Sequence, residues 1–270
     1  MGINSCILNW FDILARNGVF AGKSSVLELG PQDLFFPPEV LHEVAMRHLD
    51  AELADQSIRL IFDGAVAYRD RRSAFYSIFD LPEYMSADEY DERADYRLDL
   101  NIAHSAPEKF DVVIDCGTTE HVFNAANVFV FTHNTLDVGG VSLKVLPTFG
   151  DNTHGFYNIH PTVYFDIARV NGYEILDFRY IDNMSARPHD DPVHSLMSAA
   201  ELESGLKSFA GCAAIQQKVS TNFSESLTGA IEQHRISQAH NTVDYCFVAM
   251  KKCRDVTFRY PGQGVYLTEF

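Results

Sequence analysis

The chain has 270 residues, 46% apolar and 21% charged, a composition able to bury a sizeable core in an ordinary globular protein. Thirty-seven acids against 21 Lys and Arg leave a formal charge of -16, which removes any general attraction for phosphate backbones and disfavours nucleic acid or anionic membrane as partner. Five scattered cysteines without a CxxC pair imply neither a disulfide framework nor zinc, no run of 18 apolar residues marks a membrane span, and a reducing cytoplasm is the expected setting.

Residues 1–20 carry Asn, Asp and Arg among their apolar positions, unlike the core of a secretory signal. Ile7, Leu8, Phe11, Leu14 and Ala15 fall at helical spacing, which predicts an amphipathic helix over 4–16. Val26–Leu29 reads as a buried strand closed by Gly30-Pro31. Pro37-Pro38 then places a helix start near Glu39, with Val40, Leu41, Val44, Ala45 and Leu49 as its apolar face. Ile58–Phe62 fits either a short strand ending at Asp63 or part of a longer helix. Tyr84–Asp88 is the preferred strand of this region, because Tyr96-Arg-Leu-Asp99-Leu-Asn101 follows as the next strand and loop.

The stretch Phe110-Asp-Val-Val-Ile-Asp115-Cys-Gly117-Thr-Thr-Glu-His121 reads as a buried strand emptying into a tight loop, from which a helix runs from Thr119 to about Thr135. Gly139-Gly140 makes a turn and Val141–Leu146 a strand stopped by Pro147. Pro161 opens a helix that Asn171-Gly172 ends. Tyr173–Ile181 and Asp244–Met250 are the last strands. Between them residues 183–242 are polar and partly helical, over Ala199–Phe209 and Ser224–His240, as a cap or a peripheral insertion. The His189-Asp190-Asp191-Pro-Val-His194 cluster in that stretch reads as a solvated turn, with a substrate loop over the site as the alternative. Alternating strands and helices imply a mainly parallel sheet covered on both faces, with ligands expected outside the carboxyl ends of its strands.

Val26-Leu-Glu28-Leu-Gly30, Asp88, Asp99-Leu-Asn101, Phe110-Asp-Val-Val-Ile-Asp115 and Asp137-Val-Gly-Gly-Val-Ser-Leu-Lys-Val-Leu-Pro147 occur in the order seen in class I S-adenosylmethionine-dependent methyltransferases, which the chain resembles over residues 24–182. The resemblance implies a Rossmann-like three-layer α/β sandwich with a seven-stranded, mainly parallel sheet and an antiparallel last strand, preceded by a helical insertion. One domain would span 1–270: an N-terminal helix in 1–20, a cofactor-binding core in 24–182, the insertion in 183–242 and the last strand in 243–253. One departure stands out. The family's first loop carries two or three glycines, whereas Glu28-Leu-Gly30-Pro31-Gln32 keeps one, and Pro31 removes an N–H donor.

The same resemblance implies S-adenosylmethionine as cofactor and assigns roles. Glu28 would fix the first loop, with Gly30 and Gln32 against the amino-acid portion of the cofactor. Asp88, with Asp63 as rival, would accept the ribose hydroxyls. Asp99, Leu100 and Asn101 would hold the adenine, and Asp115 and Gly117 would meet the sulfonium. Glu28, Asp99 and Asp115 are thus expected at one common rim. His121, one turn past the fourth strand, is the candidate base, with His154 and His160 of the following loop as alternatives and Tyr157 and Asn158 as substrate contacts. Glu120 reads as an acid favouring a helix N-terminus. A His-x5-His spacing is a weak metal signal; with Glu120 and His121 nearby a metal is the lesser alternative, and none is assigned.

The expected function is methyl transfer to an oxygen or nitrogen of a small polar molecule; sugars, hydroxylated metabolites and amines all fit. The alternative is a methyltransferase-like binding or scaffold protein whose first loop no longer takes cofactor. A nicotinamide enzyme is disfavoured because no GxGxxG follows the first strand.

Overall fold

Apolar side chains on both faces of the central strands dictate a sheet sandwiched between helices. The computed structural model describes residues 2–150, 154–181 and 243–264. In chain order the elements are β1 (Gly2–Asn4), α1 (Ser5–Arg16), β2 (Ser25–Leu29), β3 (Asp33–Phe35), α2 (Pro38–Ala45), α3 (Ala51–Phe62), α4 (Tyr68–Ser77), β4 (Glu83–Asp88), β5 (Tyr96–Arg97) and β6 (Phe110–Cys116). A 3-10 turn over Thr119–His121 leads to α5 (Ala125–Thr135), β7 (Leu136–Gly150), α6 (Thr162–Asn171), β8 (Tyr173–Ile181) and β9 (Val243–Lys252).

Seven strands form one sheet in the order β5-β4-β2-β6-β7-β9-β8, and β1 pairs with β3 in a small parallel sheet. The central strands run parallel, whereas β9 is antiparallel to both β7 and β8, with Ile181 opposite Tyr245 where β8 ends. Residues alternate between faces: Val26, Val112, Ile114, Leu143 and Phe247 pack under α1 to α4, while Leu27, Leu29 and Val113 meet Val128 and Phe131 of α5. Cys246, Val248 and Met250 pack with Tyr164 and Ile167 of α6. This is the Rossmann-like α/β sandwich with an antiparallel last strand.

Several elements depart from expectation. Ile58–Phe62 belongs to α3, and α4 was not foreseen. The helix expected from Thr119 is broken at Val122-Phe123-Asn124, where Val122 is extended and tertiary hydrogen bonds claim the chain. The Tyr157 hydroxyl donates to the Phe123 carbonyl at 2.8 Å, and the Asn124 N–H to Asn101 Oδ1 at 3.0 Å. Strand β7 also runs through both Gly139-Gly140 and Pro147. Pro147 is tolerated because pairing with β6 ends at Val145, so its missing N–H faces no strand on that side, and a register shift follows it on the β9 side. The helices expected at 199–209 and 224–240, the insertion and the His189–His194 cluster lie outside the described residues.

Candidate functional site

Order reverses between β2 and β6, so the loops after these strands flank the crevice where open α/β sheets take ligands. Gly30 closes β2 in the left-handed region at φ 74°, and its N–H donates to the Ala87 carbonyl at 2.8 Å. A Cβ on Gly30 would lie 2.7 Å from Thr118 Oγ1 and 3.6 Å from Asp88 Oδ2, so any side chain would collide with the facing loop. Thr118 Oγ1 itself donates to the Leu29 carbonyl at 2.6 Å. Gly30, Asp88 and Thr118 thus meet at one rim, with Gly117 at φ 93° beside them.

Glu28 holds this loop from below. It is fully buried and accepts from the Gln32 N–H at 3.0 Å and from the hydroxyls of Tyr76 at 2.5 Å and Tyr84 at 2.8 Å. Burial raises its pKa, and the bonds from Tyr76, Gln32 and Tyr84 only partly oppose that rise. The Gln32 side chain folds back, its Nε2 donating to the Gly30 carbonyl at 2.9 Å and, more weakly, to that of Leu29. Its Oε1 is a buried acceptor without a hydrogen-bond donor among the described residues.

Asp88 Oδ1 accepts from the N–H groups of Tyr90 and Asp91 at 2.7 and 2.8 Å. Asp63, its rival for the ribose, is exposed at the end of α3. Asp99 Oδ1 accepts from the Asn101 N–H and side-chain amide at 2.8 and 2.9 Å, and these bonds lower its pKa. Asn101 in turn joins Asn124, while the buried Leu100 offers its carbonyl to Asn127 at 2.8 Å. The loops after β5 and β6 are therefore tied together.

Asp115 corrects an expectation. Its side chain is fully buried, in an ion pair with the equally buried Lys144 at 2.9 Å, and it accepts from the Thr119 hydroxyl and the Thr118 N–H. Leu29 pairs with Asp115 and Glu28 with Ile114, so the two acids are one residue out of step and point to opposite faces of the sheet. Glu28 and Asp115 therefore do not face the same side of the sheet. Asp115 is a buried carboxylate whose charge is met inside the molecule by Lys144.

His121 and His154 do come together. Their rings stand edge to face, with centroids 4.3 Å apart and Nε2 atoms 2.9 Å apart, and both side chains are exposed. The loop carrying His154 is clipped to the turn carrying His121: the Phe156 N–H donates to the Glu120 carbonyl at 2.6 Å, and Gly155 at φ 71° lies directly on Glu120. Tyr157 closes the clip through its bond to Phe123, whose ring also meets that of Phe156 at 5.8 Å. His160 is elsewhere. Its Nδ1 accepts from the Thr162 N–H at 3.3 Å at the head of α6, and partial burial lowers its pKa. Asn158 lies in the exposed loop between them. Residues 151–153 of this loop are outside the described residues.

Glu120, named from the sequence as a helix-end acid and, beside His121, as a candidate metal ligand, is fully buried under Gly155. Sequence reasoning missed Thr118, Tyr76, Tyr84 and Lys144. A lone lysine inside Val141-Ser-Leu-Lys-Val-Leu146 was a readable sign that a buried acid lay opposite.

Strand order and the antiparallel last strand together define a Rossmann-like α/β domain. No family model matches the chain, and a search of curated proteins finds no match. Among solved structures it is similar to a phosphoethanolamine N-methyltransferase 2 of Haemonchus contortus with S-adenosylhomocysteine bound, at 16% identity and TM-score 0.42, over 91% of this chain and 53% of that one. It is also similar to an S-adenosylmethionine-dependent methyltransferase of Thiobacillus denitrificans, at 12% identity and TM-score 0.39, over 92% and 93% of the two chains. A third is the O-methyltransferase of a Brevibacillus brevis multienzyme, at 14% identity and TM-score 0.39, over 93% and 73%. The chain thus spans about half the length of the Haemonchus protein. At such similarity these likenesses carry no functional argument; the fold rests on the strand order itself.

Proposed function

We propose that the chain transfers methyl groups from S-adenosylmethionine to an oxygen or nitrogen of a small polar molecule. The reading is carried by the rim at the β2/β6 crevice, where Gly30, Asp88 and Thr118 meet and where the buried Gln32 Oε1 has no donor among the described residues. A buried acceptor of that kind costs free energy unless a donor reaches it, and the ammonium of the cofactor is such a donor. Asp88 Oδ2 faces the same rim and suits a ribose hydroxyl. The Asp99-Leu100-Asn101 loop, stiffened through Asn124 and Asn127, suits the adenine edge.

When bound, S-adenosylmethionine supplies an electrophilic methyl carbon on a sulfonium. The chain's own work is to hold the acceptor in line with it, which makes displacement effectively intramolecular. His121 and His154 stand at the end of the same strand system and offer an imidazole nitrogen to the proton that an attacking hydroxyl or amine must lose.

A thermal-shift titration with S-adenosylhomocysteine tests the reading. At a hundredfold excess over Kd, a ligand bound only by the folded state adds about 2.7 kcal/mol, a rise of roughly 5 °C or more in Tm. Gly30→Ala should remove the shift. A second reading, a binding or scaffold protein of the same fold, is favoured by the self-sufficient first loop: Gln32 Nε2 is spent on its own backbone, and Arg93 bridges Asp33 at 2.6 Å and Asp91 at 2.7 Å. No shift at saturating ligand would select it.

A further inference from the structure

From the convergence of Glu120, His121 and His154, we infer a binding site for a divalent first-row transition metal ion on the acceptor side of the crevice. One nitrogen from each histidine and one carboxylate oxygen of Glu120 all lie within 4.8 Å of one another, an arrangement found once among the described residues. Two imidazoles and a carboxylate are borderline donors. They suit zinc, iron, cobalt or manganese, whereas calcium and magnesium prefer all-oxygen shells.

The site is built rather than accidental. Two nitrogens bound to one ion at about 2.0–2.1 Å in tetrahedral geometry stand roughly 3.3 Å apart. The observed 2.9 Å between the Nε2 atoms is within a small ring rotation of that spacing. The backbone clip fixes the approach: the Phe156 N–H on the Glu120 carbonyl and the left-handed Gly155 against Glu120 set His154 over His121. Any residue but glycine at 155 would be strained at φ 71° and would put its Cβ a tight 3.0 Å from the Glu120 backbone oxygen and Cγ. A buried carboxylate beneath two exposed imidazoles leaves the outward positions for water or ligand oxygen, the pattern of a catalytic rather than a closed structural ion.

This inference deepens the methyl-transfer reading and rests on it for its role. With both Nε2 lone pairs on the ion, the histidines no longer take a proton themselves. A hydroxylated acceptor coordinating at an open position would have its pKa lowered and would lose its O–H proton to solvent near neutral pH. The acceptor class narrows accordingly to molecules with an oxygen able to ligate a metal.

The test uses the full chain stripped with EDTA and titrated with Co2+, followed by calorimetry and visible ligand-field absorption. One saturable Co2+ per chain is expected, with affinity falling by at least about a hundredfold in His121→Ala and in His154→Ala, since loss of outer-shell partners alone costs 10–100-fold. Glu120→Gln should weaken binding too, but its burial makes the two exposed histidine variants the decisive ones. Equal Co2+ binding by the parent chain and the doubly substituted His121→Ala/His154→Ala chain overturns the site. The S-adenosylhomocysteine shift, measured on the stripped protein, separates the readings. A shift without Co2+ binding removes the metal and leaves methyl transfer, whereas Co2+ binding without a shift supports the ion and removes the cofactor.

Discussion

At the scale of single residues, Glu28 shows how an acid that looks catalytic in sequence becomes structural in space. Three buried donors converge on it: the Tyr76 and Tyr84 hydroxyls and the Gln32 N–H. Glu28→Ala strands all three, and an unsatisfied buried donor costs about 1–3 kcal/mol. The expected loss is roughly 3 kcal/mol or more in urea unfolding, with Tyr84→Phe, which removes a single donor, costing about 1 kcal/mol. The sign of its pH effect follows from its raised pKa. Ionisation of Glu28 is resisted in the fold, so its penalty begins as pH rises through about 4.3 and grows until the higher folded value is passed.

Between elements, Asp12 of α1 docks that helix onto the chain just past α2. Its buried carboxylate accepts from Arg16 at 3.1 Å, Arg47 at 2.6 Å and His48 at 2.9 Å. Burial pushes its pKa up, but the bonds from His48, Arg47 and Arg16 outweigh this, and the net shift is downward. The sign is therefore opposite to that of Glu28. Stability from Asp12 is complete above the unfolded carboxylate value of about 3.9 and is lost as pH falls through the depressed folded value. Asp12→Asn should lower stability at neutral pH and flatten the acid limb of a stability–pH curve measured by denaturant titration. An acid limb as steep as the parent's would contradict the assignment.

Over the whole molecule, what was legible in the sequence followed periodicity and punctuation. Strand β8 was read with both ends correct, and α6 was bounded by Pro161 and Gly172, whose φ of 68° confirms it as the left-handed helix end. The central strands were visible because both their faces are buried. What stayed hidden depends on long-range pairing. Nothing in Ile58–Phe62 alone separates a helix from a strand, and α4, with its Tyr-Arg-Asp-Arg-Arg run, is polar until its aromatic residues find Glu28 and α1. Likewise, Asp115 reads as a ligand-edge acid until a one-residue register offset turns it away from Glu28 and toward Lys144. The histidines of the site were named from the sequence and expected on one edge, but their direct ring contact was not, because it depends on a backbone clip between loops more than thirty residues apart.

The antiparallel return of β9 carries a further consequence for how the chain is wired. Because Ile181 sits across from Tyr245 on adjoining strands, the long polypeptide excursion between them leaves and re-enters at one spot. A hairpin turn of a few residues can bridge that gap with no change of register. Excising 182–242 in favour of such a turn should therefore preserve a single cooperative unfolding transition, whereas a multiphasic melt would mean the sheet leans on the excursion for its integrity.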